Sequence, residues 1–133
     1  MSSHVFTYGS LMFDAVWSRV VQGRYRSIEG SVAEHARFAI DGEDYPGMVP
    51  YGNVQTTGLL YLDVDAVDLA RLDAFEGDDY RREVVTVVAA DGVAHEAQSY
   101  IYLRRDRLLG APWEPGAFAM QRFLETYCRD RLA

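Results

Sequence analysis

The sequence contains no lysine and only one cysteine, Cys128. All thirteen basic residues are therefore arginine, which excludes a lysine Schiff base and the lysine of a phosphate-binding P-loop. A single cysteine cannot build an internal disulfide framework. No apolar run approaches the roughly 18 residues that a membrane-spanning helix needs, and the first residues lack the basic region and apolar core of a secretion signal. We therefore expect a cytoplasmic protein with no membrane partner.

The formal net charge is −7, and the arginines are scattered along the chain. Binding a nucleic-acid backbone needs a concentrated basic surface, so the sequence predicts no nucleic-acid partner. The densest basic group, Arg104-Arg105-Asp106-Arg107, is interrupted by an acid and is typical of a solvated turn. No repeat or linker divides the 133 residues, so we expect one domain over 1–133 and, by default, a monomer.

The first half of the chain predicts one helix among strands. Residues 5–8 have the pattern of a short buried strand that stops at Gly9. Apolar residues at helical spacing then predict an amphipathic helix that Gly23 would end: Phe13, Val16, Trp17 and Val20. Residues 31–40 are predicted as a strand. Residues 45–53 contain two prolines and two glycines, which predicts a loop with at most a short edge strand.

The second half begins with a predicted strand over residues 56–64, rich in strand formers. A helix follows, with Asp65 as N-cap, Asp68 as a capping-box-like partner and Gly77 as terminator. Two strands, 83–89 and 96–103, are joined by the hairpin signal Asp91-Gly92. Apolar residues on one face predict a last helix after Gly116: Met120, Phe123, Leu124 and Tyr127. This order predicts an α+β fold with a mixed, mostly antiparallel sheet.

Several kinds of chemistry are missing from the sequence. His4, His35 and His95 have no metal-ligand spacing with one another or with Cys128, which is expected to be a buried structural thiol. No glycine fingerprint for a dinucleotide or phosphate follows a strand, and Ser10 has neither a nucleophile elbow nor a local histidine. An enzyme with this sequence is therefore expected to work without metal, cofactor or an evident nucleophile.

Tyr8-Gly9-Ser10-Leu11 joins the first strand to the first helix. A glycine here lets the backbone turn sharply and approach a ligand closely, and successive amides near a helix start can bind an anion. By spacing alone, a plain strand-to-helix turn with Ser10 as N-cap is the simpler interpretation.

Glu76 stands at a predicted helix end, between the apolar Phe75 and Gly77. A carboxyl held beside aromatic surface has its pKa raised by desolvation, toward the range that suits general acid/base catalysis. A solvated glutamate at a helix end is the simpler interpretation when this motif is taken by itself.

Together, the two motifs resemble signatures of the γ-glutamylcyclotransferase-like superfamily. Its Tyr-Gly-Ser/Thr-Leu/Asn sequence is matched by residues 8–11, and Leu-Asp-x-Phe-Glu-Gly-x-x-Tyr-x-Arg is matched by Leu72, Asp73, Phe75, Glu76, Gly77, Tyr80 and Arg82. Further positions fit as well: Val54, Gly58, Leu60, Tyr61, Tyr100 and Tyr102. The similarity covers about residues 4–103 and is greatest to the AIG2-like branch, which includes γ-glutamylamine cyclotransferase.

The resemblance implies a small, mixed and mostly antiparallel β-barrel flanked by helices. It also implies a small-molecule γ-glutamyl substrate, cyclised without a cofactor or metal to 5-oxoproline with release of an amine. Because the substrate's own α-amine attacks its γ-carbonyl, orientation and one proton carrier are enough. Glu76 is the implied acid/base, and the implied substrate-binding residues are Tyr8, Gly9, Ser10, Leu11, Tyr80 and Tyr102. For the last two tyrosines, a role in core packing is the alternative.

Other functions stay open at the level of sequence. A non-catalytic member of the same fold could bind a small carboxylate-bearing metabolite or a partner through the same residues. A related enzyme could release a γ-glutamyl group from a larger carrier. Asp78 and Asp79 lie near Glu76, as in a two-carboxylate glycosidase, but adjacent acids in a polar turn are normally solvated. Segments 41–53 and 104–115 could border the leaving group, and neither contains a readable specificity code.

Overall fold

Six strands make up about half of the chain in the computed structural model, which describes residues 2–118 and 120–129. The strands are β1 (Ser2–Thr7), β2 (Ser27–Ile40), β3 (Pro46–Asp65), β4 (Tyr80–Ala89), β5 (Ala94–Tyr102) and β6 (Leu108–Pro112). The helices are α1 (Asp14–Val20), α2 (Ala66–Glu76) and α3 (Met120–Phe123), and α3 continues as a π-helical turn over Leu124–Cys128. The predicted α+β class is confirmed.

The strands are arranged in the order β3-β1-β5-β4-β2-β6, and β3 also pairs with β2. Five strands therefore close into a ring, and β6 pairs with the end of β2 at Phe38 and Ile40. The β1–β5 pairing is parallel, at Val5 and Gln98, and the other pairings are antiparallel. The prediction of a mixed, mostly antiparallel sheet is confirmed.

The loop predicted for residues 45–53 was wrong, because β3 begins at Pro46 and runs to Asp65. Ala39 pairs with Pro46 and His35 pairs with Pro50, after which β3 bulges before pairing resumes between Ala33 and Gln55. Over residues 46–50, β3 pairs with β2 and not with β1. A proline is tolerated in a strand when one of its edges is unpaired or when a bulge follows.

The ends of α2 follow the sequence prediction. The Asp65 side chain accepts a hydrogen bond of 2.8 Å from the amide of Asp68, as an N-cap should. Gly77 ends the helix in the left-handed region, with φ of +79°, and its amide donates to the Asp73 carbonyl. Glu76 is therefore the last residue of α2, placed at a fixed end of the helix.

Asp68 does not complete a capping box. Its side chain is buried and accepts hydrogen bonds from the amides of Gln22 and Gly23 and from the Tyr25 hydroxyl, and it pairs with Arg71. The segment after α1 is thereby fastened to the first turn of α2. Burial alone would raise the Asp68 pKa, but these hydrogen bonds lower it to about 2.

Two apolar clusters fill the protein. One includes Leu72, Phe75 and Phe123, and the other includes Phe6 and Met48. Among the residues that the structure describes, no helix has both the length and the apolar character needed to cross a membrane.

Candidate functional site

A cavity lies where the two apolar clusters meet. It contains about 390 Å³ not occupied by atoms, including its open mouth, but the part wide enough for a water molecule is only about 20 Å³. Six parts of the chain line it: residues 6–11, Tyr45 with Pro46, Phe75 with Glu76, Tyr80, Tyr100, and Phe123 with Tyr127. Both sequence motifs therefore face the same cavity, although 65 positions separate Ser10 and Phe75 in the sequence.

The loop formed by residues 8–11 enters a single 3₁₀ turn, Ser10–Met12, whose N-cap is Gly9. Ser10 does not cap this turn or α1 with its side chain. The backbone hydrogen bonds here run from Met12 to Gly9 and from Phe13 to Ser10. Within the described part of the chain, the amides of Gly9, Ser10 and Leu11 donate none of the backbone hydrogen bonds outside regular elements. Gly9, Ser10 and Leu11 all line the cavity.

Gly9 is required by a contact with the protein itself. A Cβ atom at this position would lie 2.7 Å from Cδ and 2.8 Å from Cγ of Pro46, which is closer than real Cβ contacts. Pro46 is fixed in turn, because its carbonyl accepts a hydrogen bond of 2.8 Å from the Tyr80 hydroxyl. Glycine therefore lets the loop pack against Pro46 of β3, and the close approach to a ligand predicted at Gly9 stays a prediction.

Arg37 of β2 holds the loop of residues 8–11 through a backbone carbonyl. Its Nη1 atom donates to the carbonyl oxygens of Tyr8, at 2.8 Å, and Thr57, at 3.0 Å. The guanidinium lies 5.4 Å from the ring centre of Trp113, in a cation–π contact. Partial burial lowers the pKa of Arg37, while Glu114 and Tyr8 act in the opposite direction. The Tyr8–Gly9 peptide is thereby held by a cation that is 28 positions away from Gly9 in the sequence.

Glu76 lines the cavity and is partly buried. Its charge reaches three tyrosine hydroxyls: after burial, it contributes to raising the pKa of Tyr8, Tyr80 and Tyr100. Glu76 is therefore close to all three groups, in an apolar and aromatic wall. Glu76 is therefore only partly exposed at this helix end.

The three tyrosine hydroxyls are engaged by the protein. Tyr8 donates to the Tyr100 carbonyl at 2.7 Å, and Tyr80 donates to the Pro46 carbonyl at 2.8 Å. Tyr100 donates to Asp73 at 2.8 Å, and the same carboxylate oxygen accepts a bond from Arg82. Asp73 and Arg82, the two other charged positions of the glutamate motif, therefore hold a tyrosine of the cavity in place.

Tyr102 is buried but does not line this cavity. Its ring centre lies 5.2 Å from that of Tyr80, and it packs so closely on Gly47 that a Cβ there would lie 2.6 Å from the ring. Asp78 and Asp79 do not line the cavity either. The structure therefore brings together six of the seven residues predicted for the site: Tyr8, Gly9, Ser10, Leu11, Glu76 and Tyr80.

Sequence reasoning missed Arg37 and the aromatic residues that complete the wall: Tyr45, Tyr100, Phe123 and Tyr127. Tyr45 and Pro46 belong to the segment 41–53 that was expected to border the leaving group. The helical spacing of Phe123 and Tyr127 predicted their shared face but not their contact with the cavity, and no periodicity connects them with Arg37, Tyr45 or Tyr100, which lie in other parts of the chain. Cys128 is buried, which raises its thiol pKa, and it is outside the cavity. The described residues include no cluster of three or more histidine, cysteine or acidic side chains that could hold a metal ion.

Comparison with known proteins places this geometry in a family. The family model for gamma-glutamyl cyclotransferase, AIG2-like, matches residues 5–116. AIG2-like protein D of Arabidopsis thaliana is 30% identical over 104 residues, which cover 77% of this chain and 68% of that protein.

Solved structures share the fold. The solution structure of an Arabidopsis thaliana protein, At3g28950.1, matches this chain with a TM-score of 0.75 at 24% identity. The match covers 98% of this chain and 82% of that protein's chain. A structure named gamma-glutamyl cyclotransferase matches with a TM-score of 0.69 at 14% identity, and the match covers 98% of this chain and 80% of that chain. The fold, the family match and the two motifs in one cavity agree, and the chain belongs to the AIG2-like family of gamma-glutamyl cyclotransferases.

Proposed function

We propose that this protein cyclises a small γ-glutamyl amide or peptide to 5-oxoproline and releases the free amine, with Glu76 as general acid/base. The observation that carries the proposal is the shared cavity: Glu76 and residues 9–11 line the same space. A carboxyl for proton transfer and a set of donors for an anion are the two groups that this reaction needs.

Substrate binding starts at the loop. The α-carboxylate of the γ-glutamyl group binds the amides of Gly9, Ser10 and Leu11, which supply local positive potential in a chain with a net charge of −7. Arg37 holds the Tyr8–Gly9 peptide through the Tyr8 carbonyl and keeps the loop in this arrangement. Binding the carboxylate turns the adjacent α-amine toward its own γ-carbonyl, which is catalysis by orientation.

Proton transfer is assigned to Glu76. The Glu76 carboxylate accepts a proton from the α-ammonium, and the amine nitrogen then forms a bond to the γ-carbonyl carbon. The attack gives a tetrahedral oxyanion, and the C=O bond re-forms as the bond to the leaving nitrogen breaks and Glu76 returns its proton to that nitrogen. The second proton lost by the attacking nitrogen passes to the released amine, which leaves as an ammonium. The ring that remains is 5-oxoproline, and Glu76 ends the cycle as a carboxylate.

The hydroxyls of Tyr8, Tyr80 and Tyr100 are uncharged at neutral pH. Burial raises the pKa of Tyr8, Tyr80 and Tyr100, and the charge of Glu76 raises each of them further. All three therefore remain protonated at neutral pH, and the proton transfers are assigned to Glu76 and not to these hydroxyls. Because the hydroxyls donate to protein groups, their role is to fix the wall around the substrate.

The test is incubation of the purified protein with γ-glutamyl amines, γ-glutamyl amino acids and glutathione, with release of 5-oxoproline measured by mass spectrometry. We expect turnover of at least one compound. If none is turned over but one raises the melting temperature, the protein is a binding member of the family and the catalytic proposal is wrong. Release of a γ-glutamyl group from a larger carrier would instead appear as 5-oxoproline formed from that carrier and from none of the small compounds in this panel.

A further inference from the structure

The last described segment of the chain contributes to the cavity from outside the family match. That match ends at residue 116, whereas Phe123 and Tyr127 line the cavity beside Glu76. Phe123 belongs to α3, and Tyr127 belongs to the π-helical turn that follows it. The wall next to the proposed acid/base is therefore built by a part of this chain to which the family motifs do not extend.

Tyr127 contacts the end of α2 through its hydroxyl. The hydroxyl lies 2.6 Å from the carbonyl oxygen of Phe75 and 3.2 Å from that of Glu76, with the geometry of a hydrogen-bond donor to both. The last carbonyls of an α-helix have no partner within the helix. Tyr127 thus donates to the last two carbonyls of α2, those of Glu76 and of the residue before it.

Aromatic packing holds the Tyr127 ring in place. Its centre lies 5.0 Å from that of Phe123 in a stacked arrangement and 5.1 Å from that of Phe75 in an edge contact. The Tyr45 ring makes a further edge contact with the Tyr127 ring, with a centre-to-centre distance of 4.9 Å. Such pairs stabilise an arrangement beyond the area that they bury. The hydroxyl is therefore presented to α2 by a ring that is fixed on several sides.

We propose that Tyr127 is a positioning residue for Glu76: it anchors the end of α2, and with it the direction of the Glu76 side chain toward the bound γ-glutamyl group. This inference rests on the proposed function. The competing explanation is that Tyr127 only fastens the C-terminal segment to the protein, in which case its loss lowers stability and leaves catalysis unchanged.

The chain offers a matched control at the other end of the same helix. The Tyr25 hydroxyl donates to Asp68 at 2.6 Å and lies near the amide of Asp65, so Tyr25→Phe removes the same group from the N-terminal end of α2. Tyr25 does not line the cavity. Both substitutions delete one hydroxyl that anchors α2, but only Tyr127→Phe acts next to Glu76.

The experiment compares wild type, Tyr127→Phe and Tyr25→Phe in steady-state 5-oxoproline release at a temperature where all three are folded. We expect Tyr127→Phe to lower kcat about three- to tenfold, as one hydrogen bond that holds the end of α2 is lost, and to leave KM within about twofold. Tyr25→Phe should leave both parameters within about twofold. A Tyr127→Phe variant with the kcat of wild type, or with the same loss as Tyr25→Phe, overturns the inference.

Amide hydrogen exchange gives a measurement that does not depend on turnover. In Tyr127→Phe, the peptide covering residues 72–79 should exchange faster than in wild type, whereas Tyr25→Phe should leave the amides of Glu76 and Gly77 unchanged relative to the rest of the chain. If wild type turns over none of the γ-glutamyl compounds, the proposed function fails and the positioning claim is decided by exchange alone. Unchanged exchange at 75–77 in Tyr127→Phe overturns it in either case.

Discussion

Replacing Gly9 with alanine adds one carbon atom where the loop of residues 8–11 packs against Pro46. The new Cβ would lie 2.7 Å from Cδ and 2.8 Å from Cγ of the proline ring. Carbon atoms prefer separations of about 3.5–4.0 Å, so one partner must move by about 0.8 Å or more. Pro46 is held by the hydrogen bond from Tyr80 and by its pairing with Ala39. The loop is therefore the part expected to move.

The size of the effect follows from that displacement. A misplacement of about 1 Å in groups that orient a substrate costs on the order of 100-fold in rate, and overpacking costs about 1–3 kcal/mol of folding free energy. We expect Gly9→Ala to lower kcat/KM by about 10- to 100-fold and the free energy of unfolding by about 1–2 kcal/mol.

The assay is 5-oxoproline release, together with urea unfolding of the same samples. Gly110→Ala is the matched control, because a Cβ at Gly110 would have no atom within 4 Å and this residue is outside the cavity. The control should retain wild-type kcat/KM and stability. A Gly9→Ala variant that is as active and as stable as the Gly110→Ala variant would refute the close-packing explanation.

Two further predictions concern groups that hold the site from a distance. Asp68 has a pKa of about 2 in the folded protein, below its usual value of 3.8, so its stabilising effect is complete above pH 4 and is lost as the pH falls from about 4 to 2. Across that window, we expect urea unfolding to show that wild type loses about 2 kcal/mol more than Asp68→Asn. Arg37→Met removes the donor to the Tyr8 and Thr57 carbonyls but keeps an apolar stem, and should raise KM about tenfold with a smaller change in kcat. An unchanged KM would show that the loop keeps its form without Arg37.

The local signals in the sequence predicted the elements that they govern. Asp65 caps α2, Gly77 ends it, and Gly92 takes the positive φ of the turn between β4 and β5. These features depend on a few neighbouring residues, so they can be read from the sequence. Residues 46–50 could not be, because the prolines are tolerated only where β3 pairs with β2 and not with β1, and that depends on the whole sheet.

The same distinction applies to the site. The glutamate and the glycine loop were predicted from two motifs, whereas Tyr45, Phe123 and Tyr127 reach the cavity only because the fold brings distant segments together. Asp68 is a second example of what local spacing cannot predict. Its position three residues after an N-cap suggested a capping box, but its buried carboxylate instead accepts hydrogen bonds from Gln22, Gly23 and Tyr25. Local spacing identified the residue, and long-range packing determined its role.

Glu76→Gln tests the central claim most directly, because it keeps the shape of the side chain and removes its ability to accept a proton. General acid/base catalysis is worth about 10²–10⁴-fold, so we predict that 5-oxoproline release falls by at least about 100-fold. A γ-glutamyl compound should still raise the melting temperature of the variant, since residues 8–11 are intact. Release of 5-oxoproline by Glu76→Gln at the wild-type rate would contradict the assignment of Glu76 as the acid/base.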